Sequence, residues 1–497
     1  MPLLFSTSVP ARWLSLALGG AALLVLAGCK PVGLNYHRPA YQAPPAYKEV
    51  GAPSVVPPPN PVNGAWKPAS PSDGMLKGKW WEIYGNPDLN ALEDRVATSN
   101  PALRQALETY LAARDQVAAV RSTLFPSLGA SVSFTHYKNS SNRPLVPSNA
   151  PTSYNDMLLG GQGSWEPDFW GRIRRSVEAA RETAQANAAD MANVDLSLQA
   201  ELATDYFQLR GLDAQIAILK ATVIDLENQL DLTQRRLQGG VATDVDVALA
   251  QTQLETVRAQ LVDVSVARAQ FEHAIGTIAG YDLSHFSIPY APLQGTLPQV
   301  PVGVPSQLLE RRPDIATSER LTAAANARIG IAISAYSPSI VLGGTGGFEG
   351  SHGGTWLQGP SSLWSLGAQA SELLFDAGQR HALTQQARHQ YEAQAAAYRN
   401  TVFLAFEDVE DNLSQLRILN QEAGVEQRAV AAAQHSLDLS NQLYKGGATS
   451  YLQVLTAESA LLSNQRTLSD LQTRQFAASV QLVRALGGGW DVTQLPK

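Results

Sequence analysis

Residues 171–240 read GRIRRSVEAARETAQANAADMANVDLSLQAELATDYFQLRGLDAQIAILKATVIDLENQLDLTQRRLQGG, and this stretch determines the fold. It contains no proline, and apolar residues recur in it every seven positions, with a second series three positions further on. The first series comprises Leu202, Leu209, Ile216, Val223, Leu230 and Leu237; the second comprises Leu212, Leu219 and Leu226 and ends at Thr233. This heptad pattern predicts a helix that packs side by side with other helices in a left-handed supercoil. At about 1.5 Å per residue, such a helix is roughly 100 Å long, which exceeds a compact domain.

The same pattern occurs again 207 residues later. The equivalent positions are Val409, Leu416, Ala423, Val430, Leu437 and Tyr444. Each long segment ends in a glycine pair, Gly239-Gly240 or Gly446-Gly447, and a second heptad run follows each pair. Even the polar interruption of that run recurs, as Arg268 and Gln475. An internal duplication explains these matches, whereas two unrelated coiled coils would have to agree in register by chance.

The N-terminal segment has the features of a secretory signal. Arg12 precedes an apolar run, Trp13 to Leu26, that is too short to span a bilayer. The run leads into Leu26-Ala27-Gly28-Cys29, which resembles the lipobox of bacterial lipoproteins. We therefore predict that residues 1–28 are a lipoprotein signal peptide and that Cys29 is acylated. An ordinary signal peptide with an incidental cysteine is the alternative.

Composition and the repeat set the other boundaries. Residues 29–79 are rich in proline and are predicted to form an extended tether, because proline disfavours helices and central strands. The first repeat then covers residues 80–290 and the second covers 311–490, each in the order helix, β-hairpin, long helix, helix. Residues 291–310 are a linker between them, and residues 491–497 form a C-terminal tail.

Each repeat contains two segments with the character of membrane strands. In the first repeat, Ala130–Tyr137 and Met157–Trp165 flank a loop rich in Asn, Ser and Pro. In the second repeat, the equivalent segments are Ser339–Gly350 and Leu363–Phe375. Each segment has about 10 residues, which a tilted strand needs to cross a bilayer. The aromatic residues Trp165, Phe169 and Trp170 cluster at the end of the second segment, as interfacial aromatic residues do.

Four strands cannot form a membrane structure alone, because their edges would leave backbone groups unpaired in lipid. Two copies would give eight strands, whose interior is filled by side chains, whereas three copies would give twelve, which is enough for an open pore. We therefore predict an α+β membrane protein, internally duplicated, in which four transmembrane strands per chain close as a trimeric 12-stranded barrel. The long coiled-coil-like helices would then form a tunnel below that barrel.

Several stretches have the pattern of one family. They are Leu308-Leu-Glu-Arg-Arg-Pro-Asp-Ile315, Ile329-Gly330, Pro338-Ser-Ile340, Trp80-Trp81, Trp165-Glu-Pro-Asp-Phe-Trp-Gly-Arg172 and the two glycine pairs. In these stretches the chain resembles the outer membrane factors of tripartite efflux systems. This is the TolC-like family, in its lipoprotein branch associated with resistance–nodulation–division pumps. The resemblance covers nearly all of the mature chain.

This resemblance implies a homotrimer in the outer membrane of a Gram-negative bacterium, anchored by lipid and with its helical tunnel in the periplasm. The implied partners are outer membrane lipid, a periplasmic adaptor (membrane fusion) protein and an inner-membrane transporter of the resistance–nodulation–division type. The chain would be a passive exit duct for small molecules such as drugs and toxic compounds, driven by that transporter. The alternatives are a protein export channel of the type I secretion kind and a periplasmic coiled-coil scaffold or adaptor.

In such a channel the two glycine-pair turns would converge at the periplasmic tip, where the adaptor binds and the aperture closes. The predicted site residues are Gly239, Gly240, Val241, Ala242, Thr243, Asp244, Asp246, Gly446, Gly447, Ala448, Thr449, Ser450 and Gln453. Family members often have carboxylates just after the second turn, where this chain has Gln453. We therefore predict that Asp244 and Asp246 form rings of three carboxylates that favour cations. The alternative for Asp244 is a plain helix cap.

Other classes of function receive little support from the sequence. The net charge of -7 is mild and gives no indication of a nucleic-acid partner. His381 and His389 lack further ligands at metal spacing. We find no constellation of nucleophile, base or paired carboxylates, so we predict no enzyme and no cofactor. An acidic run, Glu407 to Asp411, is either solvated or exposed to the tunnel.

Overall fold

The computed structural model describes residues 31–41, 43–44, 46–49, 78–140, 142, 151–300, 302, 305 and 308–490. The predictions for the signal peptide, for Cys29, for most of the tether and for residues 491–497 lie outside this part of the chain. The described residues divide into two compact units. The first comprises residues 31–39, 111–185 and 319–397, and the second comprises the rest.

The helices follow the predicted repeat. They are α1 (Pro87–Ser99), α2 (Pro101–Ser122), α3 (Arg172–Gln238), α4 (Asp244–Ile278), α5 (Leu308–Arg311), α6 (Pro313–Ser334), α7 (Gln379–Lys445) and α8 (Tyr451–Ala485). Helices α3 and α7 have 67 residues each and α4 and α8 have 35 each, so the long helices of the two halves have equal lengths. None of the helices in the described part of the chain has an apolar stretch long enough to cross a membrane.

Several of the heptad positions of α3 are buried in the second unit, whereas Leu212, Val223, Leu230 and Leu237 are partly buried. Leu202, Leu209, Leu219 and Leu226 have no exposed surface. Gly211, the one glycine inside this helix, lies against Thr473 of α8 so closely that an added Cβ would overlap the threonine side chain. Glycine is therefore required here by the close approach of two helices.

The polar interruption at Arg268 belongs to a buried ion pair. Its Nε donates to Oδ1 of Asp213 at 2.7 Å, and Asp213 is completely buried between α3 and α4. The same carboxylate accepts the backbone N–H of Ala291 at 3.0 Å, which fixes the start of the interrepeat linker. In the second repeat, Gln475 instead donates to Asn420 at 2.8 Å. The interruption therefore has a structural role, and only the first repeat uses a charge for it.

The first unit contains an antiparallel sheet in the order β1-β2-β3-β4. The strands are β1 (Ser127–Lys138), β2 (Ser153–Trp165), β3 (Ser339–Gly350) and β4 (Ser362–Ser371), and short 3-10 helices occur at Trp80–Tyr84 and Gly359–Ser361. The first two strands are longer than predicted. The predicted end of the fourth strand at Phe375 is wrong, because Ser371 already pairs with Ser339, the first residue of β3. Pro338 precedes Ser339 and has no N–H to continue the ladder.

The register places most of the large apolar side chains on one face of this sheet, whereas the other face is mainly polar but also carries Leu158, Val341 and Leu363. The apolar face contains Leu128, Ala130, Val132 and Phe134 of β1, Leu159 of β2, Leu342 and Phe348 of β3, and Trp364, Leu366, Ala368 and Ala370 of β4. The opposite face contains Ser131, Ser133 and Thr135 of β1, Gln162 and Ser164 of β2, Thr345 of β3, and Ser365, Gln369 and Ser371 of β4. In the isolated chain the large residues of the apolar face are mostly exposed, as Leu128 and Leu366 are at 86% and 81%.

Residues 31–39 of the first unit have no regular secondary structure and are held by hydrogen bonds to the start of α3 and the residues just before it. The N–H of Val32 donates to the carbonyl of Trp170 at 3.0 Å. Arg175, which is buried near the start of α3, donates to the carbonyls of Val32 and Gly33 at 3.1 and 3.0 Å. Arg175 also donates to Asn35 at 3.2 Å, and Asn326 of α6 donates to the carbonyl of Leu34 at 3.0 Å. Together these contacts would resist detachment of the segment, since each buried partner left unpaired carries a desolvation cost.

The acidic run of α7 lies in the second unit and binds neighbouring segments. Glu410 accepts the backbone N–H groups of Lys48 and Glu49 at 2.7 and 3.1 Å. Asp408 accepts from Arg312 at 3.0 Å. At least two carboxylates of the run are therefore engaged in contacts between segments, which neither the solvated nor the tunnel interpretation anticipates.

Candidate functional site

The candidate site consists of the two helix reversals of the second unit, and both have the same backbone. After α3, the N–H of Val241 donates to the carbonyl of Arg236 at 2.9 Å and that of Gly240 to Leu237 at 2.9 Å. This is a Schellman motif, in which the residue after the helix cap takes a positive φ. Gly240 has φ of 74° and Gly447 has φ of 77°.

The second reversal repeats these bonds. The N–H of Ala448 donates to the carbonyl of Leu443 at 2.9 Å, and that of Gly447 to Tyr444 at 3.0 Å. A Cβ added at Gly240 or Gly447 would meet no atom within 4 Å. Glycine is therefore favoured at these two positions by the backbone angle and not by crowding.

The returning helices begin differently. Thr243 is the N-cap of α4, and its Oγ1 accepts the N–H of Asp246 at 3.3 Å. Asp246 in turn accepts the N–H of Thr243 at 2.9 Å, which completes a capping box. Ser450 is the N-cap of α8 but makes no capping hydrogen bond with its side chain. Instead, Thr449 donates to Oε1 of Gln453 at 2.7 Å.

These contacts separate the two carboxylates that the sequence singles out. Asp246 is held in the capping box, whereas Asp244 is exposed at the first position of α4. The alternative that Asp244 is the helix cap is wrong, since Thr243 occupies that position. Val241 is exposed as well. Of the two carboxylates after the first turn, Asp244 is thus the one that is exposed to solvent and lies outside the capping box.

A buried aromatic cluster lies behind the second turn. Tyr444, Tyr451, Val454 and Ala250 form its core, and the two tyrosine rings are 5.6 Å apart. The guanidinium of Arg236 lies 4.7 Å from the Tyr444 ring centre, a cation–π contact that joins α3 to α7. Sequence reasoning identified Tyr444 only as a heptad position and missed Tyr451. A signal was available in the alignment of the two repeats, because the position of the polar Asp244 in the first repeat holds the aromatic Tyr451 in the second.

Glu458 of α8 is the buried carboxyl group of this region. It is 4% exposed, and its Oε2 has no hydrogen-bond partner. Burial raises the pKa of Glu458 to about 7, and the negative charge of Asp225 on α3 contributes to the increase. The first repeat has the uncharged Gln251 at the equivalent position. Near pH 7 this group is therefore partly protonated, unlike an ordinary glutamate.

Comparison with known proteins gives a consistent answer. The family model described as "Outer membrane efflux protein" matches residues 92–281 and 304–488. The antibiotic efflux pump outer membrane protein ArpC of Pseudomonas putida is 29% identical over 94% of both chains. The pyoverdine export outer membrane protein OpmQ of Pseudomonas aeruginosa is 28% identical, over 85% of this chain and 90% of its own. The solved outer-membrane channel OprN is 27% identical, with a TM-score of 0.83 over 92% of this chain and 99% of its own.

The fold is therefore that of outer-membrane efflux channels. The chain belongs to the outer membrane efflux protein family, whose model covers residues from both repeats. Its function is that of an outer membrane efflux channel, and its family is one of channels rather than enzymes.

Proposed function

We propose that three copies of this chain form the passive exit duct of a tripartite efflux pump. The observation that carries this proposal is the four-stranded sheet. One of its faces is mainly apolar, the other is mainly polar, and its outer strands β1 and β4 each have one unpaired edge. In lipid these edges must be paired, and three sheets joined edge to edge give twelve strands around a polar lumen.

The proposed cargo is a small molecule. The relatives ArpC and OpmQ are named for antibiotic efflux and for pyoverdine export, two unrelated chemistries. A duct must bind its cargo weakly in order to release it, and weak binding also lets one duct carry compounds of different structure. An inner-membrane transporter of the resistance–nodulation–division type supplies the energy, and a periplasmic adaptor connects it to this chain. The lipid on Cys29 anchors the N-terminus in the outer membrane.

The two glycine turns form the periplasmic tip in this proposal, and Asp244 supplies its charge. Three exposed Asp244 side chains around one axis favour the passage of cations. Asp246 contributes less, because its carboxylate is engaged by Thr243. This assignment narrows the two predicted carboxylate rings to one.

Assembly can be tested without requiring an open channel. Cysteines introduced in pairs along the edges of β1 and β4 should crosslink chains into trimers in native membranes. Matched pairs on the neighbouring strands β2 and β3 should crosslink only within a chain, because these strands already pair with each other. Dimers or unlinked monomers from the β1–β4 pairs would contradict the trimeric barrel.

Conduction tests the tip. In a planar bilayer with a salt gradient, Asp244→Ala should shift the reversal potential towards lower cation selectivity. Asp263→Ala is the matched control, since Asp263 is an exposed aspartate on the same helix and further from the turn. If Asp263→Ala changes selectivity and Asp244→Ala does not, the charged constriction lies elsewhere along the helices.

A further inference from the structure

The segment after β4 exposes three consecutive large apolar residues. Leu373, Leu374 and Phe375 follow Glu372, and Leu374 and Phe375 are 91% and 83% exposed. They lie outside the sheet, because the last pair of β4 is Ser371 with Ser339. Exposed runs of this kind are unusual on a soluble surface and indicate a contact with an apolar partner.

The turn that presents these residues is fixed by specific bonds. Asp376 accepts the N–H groups of Gly378 and Arg380 at 3.0 and 3.1 Å, and it also pairs with Nε of Arg380 at 2.6 Å. Arg380 reaches back to Glu372 at 2.9 Å, on the other side of the apolar residues. The exposed run is therefore held between two ion-paired carboxylates and is not a loose loop.

Aromatic residues lie at the same end of the sheet. Ser127 at the start of β1 pairs with Ser164 near the end of β2, and Ser339 at the start of β3 pairs with Ser371 at the end of β4. The end of β2 therefore lies on the same side of the sheet as the end of β4, where the apolar run begins. Trp165 and Trp170 are partly exposed there, and their Nε1 atoms donate to the carbonyls of Leu124 and Pro338 at 2.9 and 2.8 Å. Phe169, Trp170 and Leu373 line one cleft of about 250 Å³.

The charges beside this apolar level are paired. Arg172 contacts Glu166 at 2.6 Å, and Arg174 contacts Asp168 at 3.2 Å. Glu166, Asp168 and Arg172 line the same cleft as Phe169, Trp170 and Leu373, so aromatic, aliphatic and ion-paired groups occur together directly beyond the apolar strand face. Such a combination is typical of the interface between the hydrocarbon and the headgroups of a bilayer.

We infer that Leu373, Leu374 and Phe375 insert into the inner leaflet of the outer membrane and contact phospholipid acyl chains at its boundary. This inference rests on the proposed function, because it requires the sheet to cross that membrane. Continuity with the apolar face of β4, which ends at Ala370, favours lipid as the occupant. The segment provides in the second repeat the anchorage that Phe169 and Trp170 provide in the first.

The test uses nitroxide labels on single introduced cysteines in the full-length protein, reconstituted into vesicles of phosphatidylethanolamine and phosphatidylglycerol. Collision with molecular oxygen reports lipid exposure, and collision with a water-soluble nickel chelate reports water exposure. The label at Leu374→Cys should have a ratio of oxygen to nickel accessibility several-fold above that at Ser365→Cys, on the polar face of β4. Leu366→Cys, on the apolar face, is the reference for lipid.

Each other outcome overturns the inference in a distinguishable way. Nickel accessibility at Leu374→Cys would show that the segment is in water. Protection from both reagents would show that a second copy of the chain covers it. A label at Leu366→Cys that is itself in water would contradict the membrane-spanning sheet, and with it the proposed function. Phe375→Cys repeats the measurement independently if the chain labelled at position 374 does not assemble.

Discussion

The turn after α3 and the turn after α7 have the same backbone but are secured in different ways. Both have a glycine at a φ near 75° and both close with the same pair of hydrogen bonds. The position that holds the buried Tyr451 after the second turn holds the exposed Asp244 after the first. The first turn is secured by its capping box and the second by buried aromatic packing.

This difference shows which constraints a duplication must keep. A tight reversal between long helices requires a positive φ, and glycine meets that requirement at no steric cost. The start of the returning helix can be stabilised in more than one way. A helix cap contributes about 0.5–2 kcal/mol, and a buried aromatic ring contributes about 3–5 kcal/mol. The capping box of the first turn leaves the Asp244 carboxylate in solvent, whereas the second turn has the buried Tyr451 at that position.

The largest expected effect is that of Tyr451→Ala. This ring is fully buried between helices, so its loss should destabilise the second turn by about 3–5 kcal/mol. Asp244→Ala, at the equivalent position of the first turn, should change local stability by less than about 0.5 kcal/mol. Amide hydrogen exchange of the detergent-solubilised protein, compared between the two turns, measures both changes.

Tyr451→Phe is the control that separates packing from hydrogen bonding. The Tyr451 hydroxyl is buried without a partner, so its removal should be neutral or slightly stabilising. If Tyr451→Phe destabilises the second turn as much as Tyr451→Ala does, the ring is not what secures it.

The next effect is a pH dependence confined to the second turn. The pKa of Glu458 is about 7 in the folded chain, raised by burial from its ordinary value of 4.5. Protonation therefore favours the folded state, and the stabilisation is complete below pH 4.5 and is lost as the pH rises through 7. The increase in pKa corresponds to about 3 kcal/mol.

Hydrogen-exchange protection factors of α8 at pH 5 and pH 8 measure the loss of stability that follows deprotonation of Glu458. Protection factors are suitable because they correct for the intrinsic pH dependence of exchange. Glu458→Gln should abolish this loss. The first repeat has Gln251 at this position, so its turn should change little over the same range. Equal loss at both turns, or loss that persists in Glu458→Gln, would assign the titration to another group.

Gly240→Ala and Gly447→Ala should have effects that are smaller and nearly equal. Each forces a side chain into the left-handed region, which costs about 1–2 kcal/mol. Gly424→Ala is a control of opposite sign, because Gly424 lies inside α7 with open space around it, and alanine there should stabilise the helix by about 1 kcal/mol. A large difference between the two turn variants would show that the turns do not share one backbone requirement.

The sequence predicts those features that depend on local chemistry. The heptads and the first glycine pair located α3 to within one residue at each end, and Thr243 followed by Asp246 has the spacing of a capping box. The end of β4 was not predictable, because it depends on the register in which β4 pairs with β3, and the alternating pattern of β4 does not specify that register. The burial of Glu458 was not predictable either, since a heptad does not specify which charged group a neighbouring helix brings to it.

The smallest expected effect compares the two helix caps directly. Thr243→Ala removes both bonds of the Thr243 hydroxyl, to the N–H of Asp246 and to its carboxylate, and should destabilise the start of α4 by about 1 kcal/mol. It also removes one of the two hydrogen bonds that the Asp246 carboxylate accepts, while the backbone N–H of residue 243 keeps the other, so cation selectivity in a planar bilayer should rise only slightly while stability falls. Ser450→Ala should have almost no effect on α8, because Ser450 makes no capping bond. If the two substitutions cost the same in hydrogen exchange, the capping box does not distinguish the turns, and Asp246 must be counted with Asp244 at the aperture.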